Sequence, residues 1–341
     1  MYSKPFLLAC FAILYSYIAI RPSFADNIHL QLPLVCKLGK SCFIQNYVDH
    51  DPSSDYQDFM CGSRTYDGHD GTDFRVPSMT FMLAGIPILA AADGVVLRLR
   101  DGVNDTTLPL DKSSFVGKEC GNGLIINHSN GWQSQYCHLQ KNSITVKVGE
   151  TVKAGNPIGL LGMSGLTEFP HLHFTLRHDG KVIDPFDPDH TSQSQSCKSL
   201  RSLWGNSIEY PNDYEERIFL GFQFSDHALS MQDIDNGIES EFVFDEQKAT
   251  LVVHVRMIGL LKGDQAELIL HDPRGYVIAR NRQQKLRNSP AQTLIYTGAK
   301  RPQDGWINGT YTIKFLIKNK DDLVLEKMKT LQLVIKPSIT D

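Results

Sequence analysis

Residues 170–174 read Pro-His-Leu-His-Phe, and this stretch is the most informative in the chain for its fold. In an extended strand, residues i and i+2 project from the same face, so His171 and His173 point together while Leu172 and Phe174 point to the opposite side. Two adjacent imidazole rings are unfavourable in an apolar core unless a polar group lies between them. By itself a His-x-His pair is common and weak evidence for a metal site. The stretch predicts a strand with one apolar face and one face that carries a site.

Two other short segments carry residues of matching chemistry. Residues 69–73 read His-Asp-Gly-Thr-Asp and residues 136–139 read Tyr-Cys-His-Leu. His69 and Asp73 are four apart, a spacing that permits one shared face on an extended chain. Histidine nitrogens and a carboxylate oxygen are suitable zinc ligands, and a catalytic zinc usually keeps three protein ligands and one open position. If three of these groups hold a metal, His138 and the remaining histidine are left for proton transfer, which neutral imidazole suits.

The sequence around these segments is typical of an all-β domain. From about residue 56 to 187, short apolar runs alternate with glycine-bearing turns. Asn130-Gly131 favours a type I′ hairpin turn, because both central residues must take positive φ. Residues 101–119 form a long polar insertion, and loops of that length tend to border functional sites. We expect strands at residues 86–99, 123–128, 133–139, 143–148, 157–162 and 172–177.

The C-terminal part of the chain predicts a second all-β unit. Residues 190–197 are rich in Ser and Gln and indicate a linker. Strand-sized runs then recur between Asn-Gly and Pro-Arg-Gly turns, as in an immunoglobulin-like β-sandwich. We expect strands at residues 250–257, 266–270, 310–317 and 323–335, and no helix of standard length in the mature chain. The predicted divisions are a signal peptide at 1–25, a lead-in at 26–55, a first domain at 56–190, a linker at 191–213 and a sandwich at 214–341.

Length, composition and net charge limit the classes of function that the chain can have. The chain has 341 residues, which suggests two domains, and its 41% hydrophobic and 21% charged residues are normal for a soluble globular protein. The formal net charge of -4 argues against a nucleic-acid binder, which needs basic surface to neutralise phosphates.

The N-terminus predicts export. Lys4 precedes a 15-residue apolar run at residues 6–20, and Ser23-Phe24-Ala25 places small residues where a signal peptidase cleaves. An uncleaved anchor is the alternative, but a spanning helix needs about 20 residues. We therefore expect cleavage after Ala25, no stable membrane span after processing, and a periplasmic location.

Cysteine usage agrees with export. Cys10 leaves with the leader, and six cysteines remain in the mature chain. Six thiols in an exported chain suggest disulfides, with 15 connectivities if all pair. Cys36 and Cys42 close a short loop and are the easiest local pair, whereas the sequence leaves the other pairings open.

The three segments, in this order and embedded in strand-turn sequence, strongly resemble the lysostaphin-type family of zinc endopeptidases, also called LytM or M23. The resemblance covers about residues 62–186. It extends beyond the histidines to residues 68–74, 85–96, 122–123, 127–131, 148–149 and 152–159.

The resemblance implies a lysostaphin-type antiparallel β-sheet peptidase domain that binds one zinc ion. It assigns His69, Asp73 and His173 as the zinc ligands. His138 and His171 match the two histidines that flank the metal-bound water and the scissile carbonyl. Cys137, residues 168–170 and the insertion depart from the family pattern, which affects substrate fit more than chemistry.

The leading functional hypothesis is a zinc-dependent endopeptidase that cleaves peptide stems or crosslinks of peptidoglycan. One alternative is a non-enzymatic scaffold or activator of other cell-wall hydrolases on the same fold, since some family members lack ligands. Another is a periplasmic binding or adhesion module in which the sandwich does the main work. We expect the sandwich to be dispensable for cleavage and to place the enzyme, with a purely buttressing role as the alternative. The bond cleaved, the identity of the general base and any protein partners are not predicted.

Overall fold

The structure is a computed structural model that describes residues 28–105, 115–190, 201–205, 208, 214–237 and 242–334. The predicted signal peptide, Cys197 and most of the predicted linker lie outside these residues. Nearly all regular structure in the described part is antiparallel β-sheet, which confirms the all-β prediction. Its two helices have five residues each, α1 (Met79–Leu83) and α2 (Met231–Asp235). Among the residues described, no helix has the length and apolar character needed to cross a bilayer.

The first half of the chain forms an eight-stranded sheet with the order β1-β2-β9-β6-β5-β4-β7, and β10 pairs with the free part of β9. A separate pair, β3 with β8, packs beside it. The strands are β1 (Phe43–Ile44), β2 (Thr72–Arg75), β3 (Pro87–Leu89), β4 (Gly94–Arg100), β5 (Asn122–Asn127), β6 (Trp132–Leu139), β7 (Thr151–Val152), β8 (Pro157–Leu160), β9 (His171–His178) and β10 (Lys181–Ile183).

Alternation along the central strands separates a core face from a polar face. On β9, Leu172, Phe174 and Leu176 are fully buried in the core, whereas the histidines lie on the other face. The same pattern holds on β2, where Phe74 belongs to the core and Asp73 does not. Burying large apolar side chains on one face fixes the register, since a one-residue slip would turn the apolar set outward.

The segment before β2 is part of this sheet. β1 pairs with β2, and Leu30 and Leu34 are buried in the same core. Trp204, within the predicted linker, is also fully buried there and lies 5.6 Å from the Phe74 ring. The packed unit therefore extends on both sides of residues 56–190.

The hairpin prediction at Asn130-Gly131 is confirmed. Asn130 has φ 55° and Gly131 has φ 79°, and they join β5 to β6. The strand predicted at residues 143–148 is wrong. There the backbone forms a loop, because the Asp101 carboxylate accepts hydrogen bonds from the N–H groups of Asn142 (2.7 Å) and Ile144 (3.2 Å).

The second half of the chain forms two sheets, with the orders β11-β12-β15 and β14-β13-β16-β17. Their inner faces meet in one apolar cluster, so they form the predicted β-sandwich. Three strands facing four is compatible with the predicted immunoglobulin-like type. The strands are β11 (Ile218–Ser225), β12 (Thr250–Ile258), β13 (Gln265–His271), β14 (Val277–Arg282), β15 (Gln292–Lys300), β16 (Gly309–Asn319) and β17 (Asp322–Leu333).

The two halves pack closely against each other. Gln45 Nε2 donates to the Ala291 carbonyl at 2.8 Å, and Arg64 Nη1 donates to the Glu215 carbonyl at 2.6 Å. An apolar contact is shared between the halves, formed by Phe43 from β1 with Ile218 and Ile258 from the sandwich. Helix α2, which begins with a capping box between Ser230 and Asp233, contributes Asp235 to the same interface.

Candidate metal centre

The pairing of β2 with β9 brings the first and third sequence segments together. Asp73 lies directly opposite His173, and Arg75 lies opposite His171. Directly opposed residues of an antiparallel pair project from the same face at close range. His69 precedes β2, and its ring lies next to Asp73 and His173. The structure thus places three of the predicted residues around one point.

The three candidate ligand atoms form a compact triangle. His173 Nδ1 lies 2.9 Å from Asp73 Oδ1. His69 Nε2 lies 3.2 Å from Asp73 Oδ1 and 3.2 Å from His173 Nδ1. Gly71 allows this approach, because a Cβ there would sit 2.7 Å from the His173 ring.

Hydrogen bonds on the far side of each ring fix the tautomers. His69 Nδ1 donates to the Tyr47 carbonyl at 2.6 Å, which leaves the lone pair on Nε2. His173 Nε2 lies 3.1 Å from Asp70 Oδ1 and donates to that carboxylate, which leaves the lone pair on Nδ1. Metal-binding histidines are usually oriented in this way by a carboxylate or carbonyl. In the neutral rings, both lone pairs point into the triangle. Burial would lower the pKa of His173, but Asp70 and Asp73 outweigh it and raise the pKa to about 9, so a bound metal would replace the Nδ1 proton.

His138 and His171 lie next to this triangle. Their ring centroids are 4.6 Å apart, and the His138 ring lies 6.1 Å from that of His173. His138 Nδ1 donates to the Ser164 carbonyl at 2.7 Å, and His171 Nδ1 donates to the Phe169 carbonyl at 2.9 Å. In the neutral form, both rings therefore carry their lone pair on Nε2. His171 Nε2 lies 3.5 Å from Asp73 Oδ1, so it faces the same point as the ligand atoms.

The local electrostatics set two protonation states. Burial would raise the pKa of Asp73, but the neighbouring His69 and His171 outweigh it and hold the pKa well below its usual range. Burial, reinforced by His171 and His173, lowers the pKa of His138 well below its ordinary value. At neutral pH, Asp73 is an anion and His138 is a neutral imidazole.

Comparison with known proteins identifies this part of the chain. Residues 67–185 match the family described as Peptidase family M23. They form a peptidase family M23 domain. The matched residues contain all three sequence segments and all five predicted site residues.

Several relatives of the M23 domain are known. The peptidoglycan DD-endopeptidase ShyC of Vibrio cholerae is 39% identical over 117 residues, which cover 34% of this chain and 22% of that protein. The DD-carboxypeptidase/endopeptidase Mpg of Neisseria meningitidis is 30% identical over 119 residues, covering 34% of this chain and 22% of the relative. The match thus spans about a fifth of the length of these relatives.

Solved structures also resemble the chain. The catalytic domain of the antimicrobial peptidase lysostaphin from Staphylococcus simulans is 23% identical, with 41% of this chain and 85% of that one covered and a TM-score of 0.27. A zinc containing peptidase from Vibrio cholerae is 24% identical, with 47% and 41% covered and a TM-score of 0.27.

The residues of the M23 domain fit a zinc ion. Ligands bound at about 2.1 Å to a tetrahedral zinc lie about 3.4 Å from one another, and two ligating imidazole centroids lie about 5 Å apart. The triangle of His69, Asp73 and His173 has edges of 2.9, 3.2 and 3.2 Å. The His69 and His173 rings are 5.0 Å apart. The donor set and its spacing therefore agree with a three-ligand zinc site.

A second group of histidines and aspartates does not fit in the same way. His50, Asp187 and His190 offer ligand atoms within 4.8 Å of one another. Their two rings stack with centroids 3.7 Å apart, too close for both to bind one tetrahedral ion. His50 Nε2 is instead bonded to Asp184 at 2.8 Å. We interpret this group as structural.

Sequence reasoning missed several residues that support the site. Asp70 orients His173, and Arg177 Nη2 donates to Asp70 at 2.8 Å. Arg177 is four residues after His173, and strand alternation could have placed both on one face. The contacts of the Tyr47 and Ser164 carbonyls could not be predicted from the sequence, because every residue type has a backbone carbonyl.

Two polar side chains near the hairpin of β5 and β6, Tyr136 and His128, have structural roles. Tyr136 would reach the site only from a regular strand, and β6 is irregular there, so its hydroxyl lies in the core and accepts from Ala91 N–H at 2.8 Å. The ring nitrogens of His128 lie 2.6 Å from the Asp93 carbonyl oxygen and 2.8 Å from Ser134 Oγ, so both are used in structural hydrogen bonds.

Proposed function

We propose that the chain is a zinc-dependent endopeptidase that hydrolyses peptide bonds in peptidoglycan. The observation that carries the proposal is the triangle of His69, Asp73 and His173 with His138 and His171 beside it, inside an M23 domain. Three ligands with further polar groups around an open position are the arrangement of a catalytic zinc site.

Each ligand residue has a defined part in this proposal. His69 Nε2, Asp73 Oδ1 and His173 Nδ1 would hold the ion. When bound, zinc lowers the pKa of a water molecule toward about 7 and polarises a carbonyl. Asp70 and the Tyr47 carbonyl keep the two histidines in the tautomers that can bind metal, since each accepts a hydrogen bond from a ring N–H.

His138 and His171 would divide the proton transfer and the stabilisation of charge. Both hold their Nδ1 proton against a carbonyl and offer Nε2 to the substrate side. One would accept the proton of the attacking water. The other, when it also carries a proton on Nε2, would donate a hydrogen bond to the oxygen on which negative charge develops, as donors in an oxyanion hole do. Burial of both rings excludes competing water from this exchange.

The substrate proposal rests on the relatives. ShyC is named a peptidoglycan DD-endopeptidase, and we propose that this chain cleaves crosslinking peptides of the same polymer. Disulfides at Cys36–Cys42 and Cys120–Cys137 support an oxidising compartment, and we propose the periplasm. The alternative, a non-enzymatic activator, is disfavoured because all five site positions are filled.

The test is digestion of a purified, soluble, peptide-crosslinked muropeptide dimer, with products identified by mass spectrometry. The proposal expects two monomers from one cleaved peptide bond, and no products from His173→Ala. A folded, zinc-loaded wild-type protein that leaves the dimer intact would contradict the proposal and favour the activator.

A further inference from the structure

His138 lies in a β-bulge between β5 and β6. Leu124 is opposite Tyr136, and Asn122 is opposite Leu139, so Gly123 alone faces the two residues Cys137 and His138. An extra residue on one strand is the definition of a bulge, and bulges beside active sites turn a side chain to a new direction. His138 has φ 65°, in the left-handed region that residues with a Cβ rarely adopt.

The bulge decides where His138 points. In a regular strand, Tyr136 and His138 would share a face. Instead, Tyr136 is fully buried in the core, whereas the His138 ring lies 4.6 Å from that of His171. Without the left-handed residue, the imidazole would not reach the candidate metal centre from this strand.

Both residues of the bulge are fixed to Cys120. Cys137 is joined to it by a disulfide, and His138 N–H donates to the Cys120 carbonyl at 2.8 Å. Gly123 permits this arrangement, because a Cβ there would sit 2.8 Å from Cys120 Sγ and 2.4 Å from the Tyr136 carbonyl oxygen. The disulfide and the hydrogen bond thus both hold the bulge to the same residue, Cys120.

The disulfide also contacts the chain of side chains that orients His173. Gln135 Nε2 lies 3.2 Å from Cys137 Sγ, and Gln135 Oε1 accepts from Arg177 at 2.7 Å. Arg177 in turn holds Asp70, the partner of His173.

We propose that the Cys120–Cys137 disulfide is a positioning element that holds the bulge and thereby aims His138 at the reacting centre. This inference rests on the proposed function of His138. Neither cysteine touches substrate. They act through the backbone of His138, so breaking the bond should slow turnover while leaving the metal ligands in place.

The test compares Cys120→Ala/Cys137→Ala with Cys36→Ala/Cys42→Ala, which removes a disulfide from the loop before β1. On a soluble crosslinked peptide, the first variant should lose about 10- to 100-fold in kcat, because misplacing a catalytic group by about 1 Å can cost about 10²-fold. Its KM should stay within about twofold, and its zinc content should equal that of the wild type. The control should keep its kcat.

A second measurement does not depend on activity. Hydrogen exchange of the peptide containing residues 136–139 should accelerate in Cys120→Ala/Cys137→Ala and not in the control, because the His138 N–H loses its fixed acceptor. If the double variant fails to fold, graded reduction of the zinc-loaded wild type by a phosphine should give the same kcat loss, in proportion to Cys137 labelling, and reoxidation should reverse it.

Three outcomes would overturn the inference. An unchanged kcat in a folded, zinc-loaded variant would do so, as would unchanged exchange at residues 136–139. A raised KM at constant kcat would assign the disulfide to substrate binding. Inactivity of the oxidised wild type would instead contradict the proposed function, and the exchange result would still decide whether the disulfide holds the bulge.

Discussion

Arg75 Nη2 lies 3.4 Å from Asp235 Oδ1, and this ion pair joins β2 of the M23 domain to α2 of the C-terminal half. Arg75 is fully buried, and its guanidinium also stacks over the Phe169 ring at 4.5 Å. Phe169 supplies the carbonyl that orients His171. The pair therefore links the sandwich to a residue of the candidate site.

Asp235→Ala should destabilise the protein by about 3–5 kcal/mol, because it leaves Arg75 and Arg256 buried without their shared carboxylate. Urea unfolding followed by fluorescence measures this. Asp226→Ala is the matched control, since its carboxylate pairs with Lys248 at the surface, where solvent screens the pair, and its loss should change the free energy of unfolding little. Equal effects of the two substitutions would show that the buried pair has no special role.

A chain that ends at Asn212 should fold poorly. It would lose the partners that Arg75, Gln45 and Arg64 find in the C-terminal half, and it would expose the apolar side chain of Phe43. The interface therefore favours the buttressing role of the sandwich over a dispensable one. Circular dichroism and thermal unfolding of the shortened chain measure this. A soluble, cooperatively unfolding product that cleaves muropeptides at the full rate would prove the buttressing account wrong.

His138→Ala and His171→Ala should each keep the zinc and lose about 10²–10⁴-fold in kcat, the usual contribution of positioned proton transfer. Neither residue belongs to the ligand triangle, so the metal content should not change. His178→Ala is the control, because this histidine lies at the far end of β9 and bonds the Asn130 carbonyl at 3.0 Å. A variant with the wild-type kcat would remove that residue from the mechanism.

Stability should fall in mild acid because of His254. Burial lowers its pKa to about 4, and its Nε2 accepts a hydrogen bond from Leu229 N–H at 3.0 Å, which requires the neutral ring. The unfolded chain binds the proton below about pH 6.5, so stability is full above that pH and is lost as the pH falls toward 4. In urea unfolding, His254→Gln should reduce the loss of unfolding free energy between pH 6.5 and pH 4 by roughly 2–3 kcal/mol. An identical slope in both proteins would contradict this assignment.

The sequence was sufficient for the part of the site that follows strand alternation. His171 and His173 share a face because β9 is regular, and Leu172 and Phe174 fill the core as expected. The spacing of His69 and Asp73 allowed a shared face. Their register against His173 depends on long-range pairing, which local pattern does not encode.

Other features depended on interactions that sequence pattern does not reveal. The left-handed His138 breaks alternation on β6, and nothing in Tyr-Cys-His-Leu signals it. Cys120 and Cys137 are 17 residues apart, and 15 connectivities were open. The stacked pair of His50 and His190 is likewise brought together only by the fold. The tight interface between the halves could not be inferred, because its contacts use backbone carbonyls and isolated charges.

The most direct test is zinc content measured together with activity during chelation and repletion. Zinc counting by mass spectrometry should find one ion per wild-type chain and one in His190→Ala, which alters the second histidine group, but none in His173→Ala. Removal of zinc by a chelator should abolish cleavage of the muropeptide dimer, and one equivalent of zinc should restore it. Equal zinc in His173→Ala and wild type, or cleavage that persists after zinc is removed, would contradict the account.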